Sequence, residues 1–232
     1  MRESGILMHI TSLPAPYGIG TMGKDAYAFV DFLVRAGQRY WQILPLTPTG
    51  YGDSPYQSLG ACAGNHYLID LDRLADEGLL KKEEIQNIPW GSNPARVDFG
   101  AMYAHRMNVL RLAFQRFTPD GAYETFVEQN RNWLEDYALF TALKDTLGGK
   151  PWLDWPEALR LRKADALTEK RRELSDEIRL QYFVQYEFDR QWKALRSYAN
   201  AKGVRIIGDV PIYVPLDSAL SLIHISEPTR PY

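Results

Sequence analysis

With 27 Lys and Arg against 29 Asp and Glu over 232 residues, the chain has a formal charge of −2 and scattered basic residues, which excludes the continuous basic face of a nucleic-acid binder. No apolar run approaches the ~18 residues a membrane span requires, and the first eight residues lack a signal-peptide core, so a cytoplasmic protein without nucleic-acid or membrane partners is expected. The single cysteine, Cys62, excludes an intrachain disulfide and is expected to be a small buried apolar residue.

In chain order, residues 5–10 form the first short apolar run, read as a buried strand because its hydrophobic residues do not alternate. A turn-rich loop follows. Ala26, Phe29, Val30, Leu33 and Ala36 then fall on one face of a helix that Gly37 ends in a left-handed conformation. Residues 40–44 give a second strand, so the first 44 residues predict a βαβ unit. The next stretch, 51–71, is rich in Gly, Ser, Asp and Pro and far longer than the ~2–6 residues that join strand to helix in such units. Asp70 and Asp72 within it suit a strand end or a helix cap.

From 100 to 202 the pattern is helical, with faces such as Trp133, Leu134, Tyr137, Phe140 and Leu143, and later Ile178, Phe183, Tyr186, Trp192 and Leu195. A Pro/Trp-rich break at 150–156 interrupts it. A third strand is expected at 204–212. The predicted organisation is therefore 1–72 for the first strands and a substrate loop, 73–202 for an inserted helical subdomain, 203–219 for the third strand, and 220–232 as a tail foreign to the fold that continues no helix face.

Two places concentrate chemistry. Gly50-Tyr51-Gly52-Asp53-Ser54-Pro55-Tyr56-Gln57-Ser58 follows the second strand, and loops at the C-terminal ends of parallel strands are where ligands sit. The flat faces of Tyr51 and Tyr56 suit a pyranose ring, with Asp53 and Ser54 hydrogen-bonding its hydroxyls; the same spacing also fits a turn capped by Asp53 with both tyrosines packed on helices. The 14 Tyr and 6 Trp favour sugar binding only weakly. The second place is Asp209, a lone carboxylate in an apolar run, which must face a polar cavity or pair with a buried Arg or His. His9, near the end of the first run, either contacts ligand or hydrogen-bonds locally. The Cys/His spacings of metal sites and the glycine loops of nucleotide sites are absent, so no metal or cofactor is expected.

Four segments, Gly5 to Pro14, Gly37 to Leu46, Gly50 to Ser58 and Ile207 to Val214, resemble in sequence and order the 4-α-glucanotransferases of glycoside hydrolase family 77. The resemblance implies the N-terminal part of a (β/α)₈ barrel of the α-amylase clan with a helical insertion subdomain, the barrel being incomplete in this chain. It implies transfer of α-1,4-glucan segments to a sugar acceptor with retention of configuration. Position by position, it implies that Tyr56 stacks on the glucose at the cleavage subsite, Ser54 lines the adjoining subsite and Asp209 hydrogen-bonds the same glucose. Tyr51 and Tyr103 match a tyrosine pair that holds a glucan at a secondary groove in some members, core packing being the other reading of Tyr103. The nucleophilic Asp, the acid/base Glu and a further transition-state Asp of the family lie on later strands, so no catalytic residue is expected in this chain, which should be inactive and poorly soluble alone. A non-catalytic glucan-binding module and an α-1,4-glucan hydrolase of the same clan are the competing readings.

Overall fold

The computed structural model describes residues 2–50, 52–93 and 95–225. Its secondary structure comprises strands β1 (Gly5–Leu7), β2 (Tyr40–Gln42) and β3 (Arg205–Ile207) and helices α1 (Lys24–Arg35), α2 (Leu71–Asp76), α3 (Lys82–Gln86), α4 (Phe99–Arg116), α5 (Gly121–Gln129), α6 (Arg131–Thr146), α7 (Glu157–Arg160), α8 (Ala164–Glu173), α9 (Ser175–Ala201) and α10 (Ala219–Ile225). The chain divides into two compact units: Met1–Leu46, Gly64–Thr118 and Glu187–Val210 make the first, Thr47–Ala63, Pro119–Tyr186 and Pro211–Tyr232 the second. These boundaries cut across the expected 73–202 insertion, because α2, α3, α4 and the C-terminal half of α9 belong with the strands.

In the first unit the sheet has the order β1-β2-β3, all parallel, with Gly5, Tyr40 and Arg205 in register. β1, α1 and β2 form the predicted βαβ unit, and Gly37 ends α1 at φ 69°. Alternation along the strands sends Ile6, Trp41 and Ile206 to one face and Leu7, Gln42 and Ile207 to the other. The first face packs on Ala26, Val30 and Leu33 of α1 and on Leu195 and Ala199 of α9. Trp41 is fully buried there, its indole N–H donating to the Met8 carbonyl at 2.7 Å.

Among the described residues the opposite face has no covering element: Leu7 and Ile207 are exposed. The expected strands buried on both faces are thus corrected to three-residue strands covered on one face, and β3 stops at Ile207 well short of 212. On α1, Phe29 is half-buried and Ala36 exposed, which narrows the predicted apolar stripe to Ala26, Val30 and Leu33.

Three helix starts, those of α2, α4 and α5, follow from acidic N-caps. Asp70, Asp98 and Asp120 accept from the backbone N–H of Arg73, Ala101 and Tyr123 at 3.0, 3.0 and 2.8 Å, each satisfying an amide that the helix leaves unpaired. The cap reading of Asp70 therefore holds. Asp72 instead accepts from the Tyr17 hydroxyl at 2.5 Å.

The second unit is helical around a separate core in which Tyr137, Phe140 and Leu143 of α6 meet Trp152, Trp155, Leu159, Ile178 and Leu222. The Pro/Trp break folds inward: the indole N–H of Trp152 donates to the Leu216 carbonyl at 2.6 Å and that of Trp155 to the Lys150 carbonyl at 3.0 Å. The expectation that the segment after 220 continues no helix face is overturned. Residues 219–225 form α10, with Ala219 and Leu222 buried in this core, while 226–232 lie outside the described residues. Cys62 is exposed rather than buried.

Candidate functional site

The 50–58 segment is a closed turn within the second unit. Thr49 and Ser58 pair as an antiparallel bridge, the Gly50 N–H donates to the Gln57 carbonyl at 2.9 Å, and the Leu59 N–H donates to the Pro48 carbonyl at 3.3 Å. Two left-handed residues make the reversal possible, Gly52 at φ 88° and Asp53 at φ 56°. Gly52 meets no steric cost there, and aspartate is among the residues that tolerate the region.

At the tip, the Tyr56 N–H donates to Ser54 Oγ at 3.3 Å and the Gln57 N–H to the Ser54 carbonyl at 3.1 Å, so Ser54 shapes the bend that presents the ring of Tyr56. Tyr56 is 45% exposed. Partial burial of Asp53 raises its carboxyl pKa above the usual carboxylate value. The turn is anchored where Gly60 meets α6, since a Cβ there would come within 2.5 Å of the Tyr137 ring. Tyr51, the other expected tyrosine of this turn, lies outside the described residues.

Asp209 belongs to the first unit. Because β3 ends at Ile207, Asp209 sits two residues beyond the strand, half-buried, with its Oδ1 accepting from the Val210 N–H at 2.8 Å. The premise of a carboxylate buried within a strand is corrected: Asp209 emerges at the C-terminal edge of the sheet. The register of Leu7 with Gln42 and Ile207 places His9 at the same level, beyond the end of β1 on the far side of β2. His9 Nδ1 is buried and has no hydrogen-bond partner among the described residues. Burial pulls the imidazole pKa down to about 4, so the ring is neutral at pH 7.

Tyr103 projects from the first turns of α4 and is 83% exposed, which overturns the core-packing reading. It lies four residues after Phe99, on the same helix face. Phe99 lines a cleft of about 850 Å³ in the first unit, together with Ser12, Leu13, Pro16, Trp90 and Asn93. Sequence reasoning misses residues 90–99; the available signal is Trp90-Gly91 after a short helix, a second turn-rich stretch to match the loop after β1. Ser54 and Tyr56 thus share one turn, while Asp209 and Tyr103 stand on separate elements of the other unit. Among the described residues no group of three or more His, Cys, Asp or Glu is arranged to hold a metal ion.

A parallel sheet with a covering helix layer on one face defines an α/β protein. The profile of glycoside hydrolase family 77, described as 4-alpha-glucanotransferase, matches residues 8–221, and the chain belongs to that family. It is 47% identical over 214 residues to the 4-alpha-glucanotransferase of Clostridium butyricum, covering 91% of this chain and 44% of that protein. It is 48% identical over 241 residues to that of Thermus thermophilus, covering 99% and 47%. Among solved structures, amylomaltase from Streptococcus agalactiae in complex with acarbose matches with a TM-score of 0.91 at 47% identity, over 94% of this chain and 45% of that one. Amylomaltase from Corynebacterium glutamicum shares the fold, with a TM-score of 0.72 at 18% identity over 94% and 31%. The chain therefore spans from about a third to just under half the length of these relatives.

Proposed function

We propose that the full-length protein carrying this chain is a retaining 4-α-glucanotransferase that moves α-1,4-glucan segments between maltooligosaccharides or starch-derived glucans in the cytoplasm, without metal or cofactor. The family match over residues 8–221 is the observation that carries this reading. A (β/α)₈ barrel would be completed by strands beyond β1, β2 and β3, with glucan bound at the C-terminal strand ends.

Retention requires two displacements. A carboxylate attacks the anomeric carbon while a carboxylic acid about 5–5.5 Å away protonates the leaving oxygen, then acts as base toward the acceptor hydroxyl. Both groups would come from later strands of the full-length protein. This chain supplies binding: Tyr56 stacks its ring on glucose, Ser54 lines the neighbouring subsite, and Asp209 accepts hydrogen bonds from sugar hydroxyls. Tyr51 and Tyr103 hold glucan at a secondary groove. The exposure of Tyr56 and Tyr103 and the emergence of Asp209 at the strand ends support these roles.

Product analysis tests the proposal. The full-length protein incubated with maltotriose should yield glucose together with maltotetraose and longer products. Asp209→Asn should lower kcat/KM by about 10- to 100-fold, the range of a lost hydrogen bond to a charged group. Glucose without longer products would identify a hydrolase instead.

A further inference from the structure

The opposite, N-terminal edge of the sheet carries a second concave feature, entirely within the first unit. Arg2 precedes β1, Arg39 precedes β2 and Arg205 opens β3. Backbone hydrogen bonds from Arg39 N–H to the Ser4 carbonyl at 2.9 Å and from Arg205 N–H to the Arg39 carbonyl at 2.8 Å hold the three strand starts side by side. All three arginines line one cavity of about 620 Å³, together with Glu3, Asn200 and Gly203.

The charges in this cavity are unbalanced. Among the described residues none of the three arginines makes an ion pair, and Glu3 is the lone carboxylate in the lining. Glu3 is already engaged, accepting from the Tyr40 hydroxyl at 2.7 Å. That hydroxyl in turn accepts from Arg205 Nη1 at 3.3 Å, and the Arg205 guanidinium lies 5.6 Å from the Tyr40 ring centre, which fixes one wall. Gly203, at φ 79°, keeps the floor low: a Cβ there would stand 3.3 Å from Arg39 Nη1.

Like charges around a concave surface repel one another and raise the local potential, and an anion relieves both effects. Guanidinium forks match the oxygens of phosphate in a two-point contact that a lysine cannot make. We propose that this cavity binds the phosphate group of a small phosphorylated molecule. The volume exceeds what phosphate alone fills, and Asn200 and Ser4 in the lining offer hydrogen bonds to hydroxyls, which favours a sugar phosphate over inorganic phosphate. Because Asp209 emerges at the other end of the same strand, the phosphate ligand and the glucan would not compete for one place, so the cavity serves as a regulatory site.

Calorimetric titration of the full-length protein carrying these residues tests this, with glucose 6-phosphate, inorganic phosphate and uncharged glucose as separate probes at low salt. Both phosphates should bind in a manner weakened by added NaCl and by Arg39→Gln or Arg205→Gln, each by about tenfold or more, while Arg35→Gln on α1 leaves binding unchanged. Tighter binding of glucose 6-phosphate supports the sugar phosphate, and equal binding shows that the phosphate group alone is read. Arg39→Lys, which keeps the charge and loses the fork, should fall between wild type and Arg39→Gln and guards against a folding artefact. Absence of phosphate binding, or binding indifferent to Arg39→Gln and Arg205→Gln at unchanged melting temperature, overturns the proposal.

Discussion

Arg106 is fully buried in the first unit, and its Nη2 donates to the carbonyls of Tyr67 and Ile69, at 2.8 Å for Tyr67. The guanidinium also lies 5.7 Å from the centre of the Trp90 ring. It ties the segment before α2 to α4. Arg106→Met would strand two buried carbonyls, so urea denaturation should show a loss of about 3 kcal/mol. Burial likewise acts on two histidines, holding His9 at about 4 and His66 at about 3, below the ordinary value of 6.5. Both are neutral in the folded state and take up a proton on unfolding once the pH drops below about 6.5. Unfolding therefore becomes easier as pH falls from 6.5 toward 4. Between pH 6.5 and 5 each histidine should remove on the order of 2 kcal/mol. His66→Gln should make the urea midpoint less sensitive across that range. Asp70 is legible as a cap because an aspartate three residues ahead of an amide donor has a local signature. Arg106 is not, since an arginine on a helix reads as solvated until the tertiary fold closes over it.

Among the elements, α1 and the βαβ unit are legible because a 3.6-residue apolar period and a terminal glycine are local signals, and Gly37 acts as expected at φ 69°. Strand ends are not. An apolar run shows where a strand passes but not where its pairing stops, and the run 204–212 pairs only through Ile207. The run therefore reads Asp209 as part of a strand, whereas it lies beyond one. The seating of α9 depends on a contact no spacing announces: a Cβ on Gly64 would come within 2.0 Å of the Phe188 ring. Gly64→Ala should cost about 2 kcal/mol in thermal or urea unfolding, since neither the backbone nor the half-buried Phe188 ring, packed on the sheet core, yields easily. α10 escapes sequence reading because seven residues give too short a stripe to register, and its helix is fixed by Leu222 entering a core built largely by α6 and the Pro/Trp break, far earlier in the chain.

For the whole molecule, the family resemblance read from four sequence segments and the 8–221 match agree, while the division into two units is not readable because it depends on which helices return to the sheet. The face bearing Leu7 and Ile207 and the run from Val210 to Leu216, where Ile212 is 84% exposed, present apolar surface to solvent. The 232-residue chain alone should self-associate with rising concentration in sedimentation velocity, and Ile212→Ser with Tyr213→Ser should reduce that association. The most direct test of the account is whether the full-length protein joins a labelled acceptor to glucan. Incubation with maltotriose and radiolabelled glucose should place label in maltose and longer oligosaccharides, and Tyr56→Ala should sharply slow that incorporation. Label remaining wholly in glucose while maltotriose disappears would contradict it.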